Sequence, residues 1–193
     1  FSQKKHICGA SDKRISTQRR LSETNAPVVK VNMMYSQNKI LEWQRDQYDH
    51  DMRNHFDILS LHKNDRLKHY AMHFAKYSGR LARGDAEGKT VDRTFVDALL
   101  VSLSAANTLH QSLEYRPKRS NNSLFLRIAD ASGRFNDAGE KIDHLEPFLE
   151  IARDGNQDIF DALLDFASAQ HLDVEKCLQS RRSELRQRQF FVR

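Results

Sequence analysis

Three observations predict an all-α antiparallel helical bundle. Only seven glycines and three prolines interrupt 193 residues, so breakers are scarce. Leu, Ala, Arg, Gln, Lys and Glu, which favour helices over sheets, are plentiful. Apolar residues recur at three- and four-residue steps in most of the chain, the period of a helix with one buried face. A chain of this length makes one compact domain.

The most apolar stretch runs from Phe95 to Ala106, and it recurs as Ile159 to Ala169. Each holds a carboxylate, Asp97 or Asp161, inside a greasy run. An unpaired buried carboxylate costs several kcal/mol, so each demands a partner, a water or a metal.

Taken in order, residues 1–35 are rich in Ser, Lys and Arg with little periodicity and are read as an extended basic N-terminal arm; residues 36–193 are read as the helical domain. Ile40, Leu41, Tyr48, Met52, Phe56 and Leu59 give an amphipathic helix over about 37–61. Lys63-Asn64-Asp65 interrupts it, and Asp65 is placed to cap the next helix, about 66–83, whose apolar side holds Leu67, Tyr70, Phe74, Tyr77 and Leu81. After a loop with Gly84 and Gly88 comes the first greasy helix, about 91–114. Pro117 and Asn121-Asn122 mark a midpoint turn. The second half reads as helices over about 123–137, 146–153, 157–170 and 174–189, with Pro147 in a first turn and Asp173 as a cap. Short connectors between such helices imply antiparallel neighbours.

The formal charge of +5 is unevenly placed. Residues 1–35 carry seven basic and two acidic residues, which supplies the whole excess, while 24 basic residues balance 24 acidic ones in the remainder. The arm's Lys4, Lys5, Lys13, Arg14, Arg19 and Arg20 suit an acidic partner, including non-specific contact with RNA phosphates, and it lacks the aromatics of a stacking surface. Arg19-Arg20-Leu21-Ser22 has the form of a basophilic kinase site, a pattern short enough to arise by chance. The start without Met, basic and poor in acids, reads either as a processed organellar precursor, compatible with a mitochondrial or other organellar matrix, or as an artificial boundary, which leaves the location unknown. Cys8 and Cys177 form neither a zinc motif nor a disulfide framework, and suit a reducing intracellular compartment. No apolar run approaches the roughly 18 residues that span a bilayer.

The two halves resemble each other. Phe74-Ala75-Lys76-Tyr77-Ser78-Gly79-Arg80-Leu81 aligns with Ile128-Ala129-Asp130-Ala131-Ser132-Gly133-Arg134-Phe135, and each segment leads through a loop to an Asp-Ala-Leu-Leu helix. The second loop is ten residues longer. The units are a degenerate tandem repeat, the first over about 66–114 and the second over about 123–190.

This arrangement, with the closing segment His171-Leu172-Asp173-Val174-Glu175-Lys176-Cys177-Leu178, resembles the MazG-like, all-α NTP pyrophosphohydrolase superfamily. The resemblance covers about 66–189 and is clearest from Ser123 onward. It implies a Glu-x-x-Glu pair on one helix and a Glu-x-x-Asp pair on the next, holding Mg²⁺ that clamps a triphosphate and activates water; carboxylates three apart share a helical face, and hard oxygens suit that ion. Carried onto this chain, the first repeat offers Tyr77 and Arg80, then Thr94 and Asp97. The second offers Ala131 and Arg134, then Asp158 and Asp161. An arginine at the same place in both repeats repels the ion, and the plain expectation is that Arg80 pairs with Asp97 and Arg134 with Asp161. The opposing expectation is a shifted magnesium site among Asp130, Asp137, Asp158, Asp161 and Asp165, with Asp158, Asp161 and Asp97 as the catalytic candidates.

Other features are weighed against blander readings. Gly84-Asp85-Ala86-Glu87-Gly88-Lys89-Thr90 looks like a phosphate loop, but one residue is missing between its glycines and it follows a helix. His69 and His73 are spaced to grip a metal, with His55 and His62 nearby, yet a solvated polar face fits better. Arg181, Arg182, Arg186 and Arg188 form a basic C-terminal helix able to hold phosphate, RNA or an acidic surface, or a solvated helix end favoured by the macrodipole. Two functions follow. The first is a non-catalytic interaction or scaffold subunit, without a cofactor, that docks on a larger protein or ribonucleoprotein assembly through the arm and C-terminal helix. The second is a divergent Mg²⁺-dependent nucleoside triphosphate pyrophosphohydrolase.

Overall fold

A computed structural model describes residues 35–118 and 120–187. The arm residues Lys4, Lys5, Lys13, Arg14, Arg19 and Arg20, with Cys8 and the Arg-Arg-Leu-Ser segment, lie outside the described residues, as does Arg188. Among those described, all regular structure is helical: α1 (Gln37–Asn54), α2 (Phe56–Leu59), α3 (Lys63–Arg83), a 3₁₀ turn (Gly84–Ala86), α4 (Val91–Leu109), α5 (Leu124–Asp143), α6 (Leu149–Ala169) and α7 (Val174–Gln187). None is long and apolar enough to cross a membrane.

Most starts are set by local side chains. Ser36, Thr90 and Ser123 accept hydrogen bonds from the backbone N–H groups of Lys39, Arg93 and Leu126, and Asp173 accepts from Lys176, as expected of N-caps. The third helix differs from expectation: His62 caps it through Nδ1, accepting from Asn64 N–H, and Asp65 falls in its first turn. The first helix stops at Asn54, because His55 leaves helical geometry before the single turn of α2. The first greasy helix ends at Leu109, five residues early, where His110 takes a left-handed conformation (φ 50°) and residues 111–118 run on without regular structure.

The predicted pair of helices over 146–153 and 157–170 is one continuous helix, α6, passing through Gly155. That glycine serves packing. A Cβ there would lie 3.2 Å from the Ala131 carbonyl oxygen and 3.2 Å from the Phe135 nitrogen, so its absence lets the α6 backbone close on α5.

Helices α3, α4, α5 and α6 form a bundle, with α1 and α7 laid on α4. Contacting pairs give the directions. Phe74 meets Phe135 edge-on with centroids 5.1 Å apart, and Asn136 reaches the Ala71 carbonyl, so α3 and α5 run antiparallel. Asn156 with Ser102 and Phe95 with Phe166 show the same for α4 and α6. Phe74, Phe95, Phe135, Phe160, Leu99 and Leu103 fill the centre, each fully buried, and burying one such side chain is worth about 2 kcal/mol.

Candidate functional site

The carboxylate of Asp97, on α4, is gripped from three helices. Arg80 on α3 donates from Nη1 to Oδ2 at 3.3 Å, and Arg181 on α7 donates from Nε to Oδ1 at 2.6 Å. Arg93, one turn before Asp97 on α4, brings its Nε to 3.7 Å from Oδ1, and its Nη1 donates to Glu184 at 2.7 Å. Glu184 also accepts from Arg181 at 3.1 Å. The expected Arg80 and Asp97 pair therefore exists, reinforced by an arginine that the sequence reading assigned to a surface. Tyr77 lies beneath, its ring 5.5 Å from the Arg80 guanidinium, and burial followed by the Asp97 charge pushes its phenol well above the usual range.

In the second half, Arg134 does not pair with Asp161. It donates from Nη2 to Asp158 at 2.7 Å, one turn earlier on α6, and to Asp130 at 2.9 Å on its own helix. Thr94 stands at the position equivalent to Asp158, so only the second half offers this nearer carboxylate. The ammonium of Lys118 also pairs with Asp158; burial would raise that carboxyl, but hydrogen bonds from Lys118 and Arg134 outweigh it and hold it below its ordinary value. Asp161 is instead covered by the segment after α4. Its Oδ1 accepts from the Arg116 backbone N–H at 2.9 Å and from Gln157 Nε2 at 3.0 Å, while Oδ2 is buried without a hydrogen-bond partner. Burial pushes Asp161 up to about 6.

The carboxylates proposed for a shifted magnesium site are dispersed among partners. Asp165 accepts from the Tyr115 hydroxyl at 2.6 Å and pairs with Arg127 at 2.7 Å, and Asp137 pairs with Lys141 at 3.0 Å. Among the described residues no three His, Cys, Asp or Glu side chains are grouped to hold a metal. His69 and His73 do approach each other, with ring centroids 4.6 Å apart, but His73 Nδ1 is engaged by Tyr77 Oη and Lys76 Nζ, each at 3.1 Å.

The C-terminal arginines are a further correction. Arg181 and Arg182 are only 6% and 7% exposed, so neither belongs to a solvated basic face. Arg182 donates to Gln47 Oε1 at 3.0 Å and to the Trp43 carbonyl at 3.0 Å, tying α7 to α1. Arg186 is exposed as expected.

One polar centre was missed by the sequence reading. Asp51, buried on α1, accepts from the Ser104 hydroxyl at 2.6 Å and from Gln47 Nε2 at 2.9 Å, and burial pushes it up to about 6 despite those bonds. It sits among charged residues that repeat every few positions on α1, and nothing in that pattern singles it out.

The first-half constellation opens on a cleft of about 450 Å³ bordered by α1, α2, α3, α4 and α7, to which Tyr77, Arg80 and Asp97 all contribute. In the second half, residues 111–118 lie over the equivalent carboxylate, Asp161, through the Arg116 N–H.

No protein-family model matches this chain, and no curated protein or solved structure matches it. The class that fold and site define is an all-α bundle in which one central carboxylate, Asp97, is satisfied by arginines of the chain itself and the other, Asp161, is held on one oxygen by a backbone N–H and Gln157.

Proposed function

We propose that this chain is a non-catalytic interaction subunit built on a degenerate tandem MazG-like fold, serving a larger protein or ribonucleoprotein assembly. The observation that carries this reading is the occupancy of Asp97. The position at which the family resemblance implies a magnesium ion is taken by the guanidinium of Arg80, with Arg181 on the other carboxylate oxygen at 2.6 Å. A positive side chain there satisfies the carboxylate and repels the ion that would clamp a triphosphate. The repeat reading has its own support: Ser78 and Ser132, aligned in the two units, meet at 3.3 Å.

Docking is assigned to the basic arm and the exposed end of the last helix at Arg186, because Arg181 and Arg182 are committed internally. The test is to incubate the purified chain with Mg²⁺ and a panel of NTPs and dNTPs and to assay pyrophosphate. Silence across the panel is expected. Release of pyrophosphate that Asp161→Asn abolishes would establish the divergent pyrophosphohydrolase and overturn this reading.

A further inference from the structure

The cleft beside Asp97 carries more positive charge than its own carboxylates neutralise. Five of its lining residues are lysine or arginine and three are aspartate, and Arg93 and Arg181 are further paired with Glu184 just outside it. Of those aspartates, Asp97 is already held by Arg80 and Arg181, and Asp51 is turned onto Ser104 and Gln47, which leaves Asp57. Lys76 and Lys89 are exposed, and among the described residues neither is paired with a carboxylate. Burial, and then the charge of Arg80, depresses the Lys76 ammonium, and Lys89 adds to the depression. Lysines and an arginine that crowd one another in this way are relieved by an anion placed among them. Leu100 and Val101 of α4 and Ile58 and Leu59 of α2 supply apolar wall. A cleft of this size, with both apolar lining and a few charged groups, has the make-up of a small-molecule site.

We propose that this cleft binds a small phosphomonoester without a metal ion, its dianion set between Lys76, Arg80 and Lys89 and its organic part against Leu100 and Val101. A dianion matches two ammonium groups without a carboxylate partner and a neighbouring guanidinium better than a carboxylate does, since it brings two charges and three acceptor oxygens. The apolar wall distinguishes an organic phosphate from the free ion. This inference goes beyond the interaction-subunit reading and does not depend on it.

The experiment is calorimetric titration of the full chain with phenyl phosphate in the presence of a chelator, against phenol and inorganic phosphate. Saturable binding of phenyl phosphate is expected, tighter than that of either fragment. The Lys76→Glu/Lys89→Glu variant changes exposed side chains only and is expected to bind about tenfold more weakly or worse, whereas Lys141→Glu, outside the cleft, binds as the parent does. The proposal is overturned if phenyl phosphate gives no saturable heat, if the charge reversal leaves its affinity unchanged, or if phenol or inorganic phosphate binds as tightly.

Discussion

The Nε of Arg181 stands 2.6 Å from Oδ1 of Asp97, joining the last helix to the most apolar one across 84 residues of sequence. Both groups are largely withdrawn from water, so each charge depends on the other. Removing one partner of a buried pair leaves an uncompensated charge, typically at a cost of about 3–5 kcal/mol, although Arg80 and Arg93 remain to offset part of it here. Arg181→Met is therefore expected to lower unfolding free energy by about 2–4 kcal/mol in denaturant titration. Adding Asp97→Asn to that variant is expected to recover part of the loss, and a double-mutant cycle measures the coupling. Strict additivity of the two changes would contradict a direct interaction.

The half-satisfied Asp161 makes stability depend on pH. Its folded value, about 6, lies above the ordinary 3.8, so the native chain holds the proton more tightly than the unfolded chain does. Stability from this group is consequently present below about pH 4 and is lost as pH rises through 6, the reverse of a salt-bridged carboxylate. Asp161→Asn keeps an acceptor for the Arg116 N–H and removes the charge. The variant is expected to gain on the order of 1–2 kcal/mol relative to the parent between pH 4 and pH 8, read as the difference between their denaturation curves. A difference that stays flat across that range would mean Asp161 titrates normally. Asp51, also raised to about 6, contributes a slope of the same sign in both proteins and cancels in the comparison.

Two glycines of the second half are predicted to behave oppositely. Gly155→Ala puts a Cβ within 3.2 Å of two backbone atoms of α5, neither of which can swing aside, and is expected to cost about 1–3 kcal/mol through overpacking. Gly133→Ala meets nothing within 4 Å and is expected to stabilise α5 by about 0.5–1 kcal/mol through helix propensity. Melting temperatures of the two variants should shift in opposite directions.

The cover over Asp161 is held partly by the Tyr115 hydroxyl on Asp165. Tyr115→Phe removes that donor and keeps the ring, which packs against Tyr35 with centroids 5.2 Å apart. The Arg116 amide, which donates to Asp161, is then expected to exchange its hydrogen about tenfold faster, with global stability changed by about 1 kcal/mol. Unchanged protection would show that the cover is held by other contacts.

Much of the architecture was legible because it is written in short-range chemistry. A three-and-four period buries a face only as a helix, and Asp173, read as a cap, does cap from within its own turn. The expectation that Arg80 pairs with Asp97 also held, since the two come from neighbouring helices with a short connection. The same argument failed for Arg134 and Asp161, because a carboxylate one turn nearer was available at Asp158 and the segment after α4, residues 111–118, lies over Asp161. Equivalent positions in a repeat do not guarantee equivalent partners when the connecting segments differ.

By itself, then, the sequence determined the helical class, the order of the helices and most of their starts, all of which depend on residues within a turn or two of each other. Only the tertiary structure decided that α6 runs unbroken through Gly155, that Arg181 and Arg182 turn inward, and that Asp51 and Asp161 sit in shielded places with raised proton affinity. The physical reason is distance along the chain. Charge pairing and desolvation are settled by whichever groups packing brings within a few ångströms, and here those groups are separated by tens of residues.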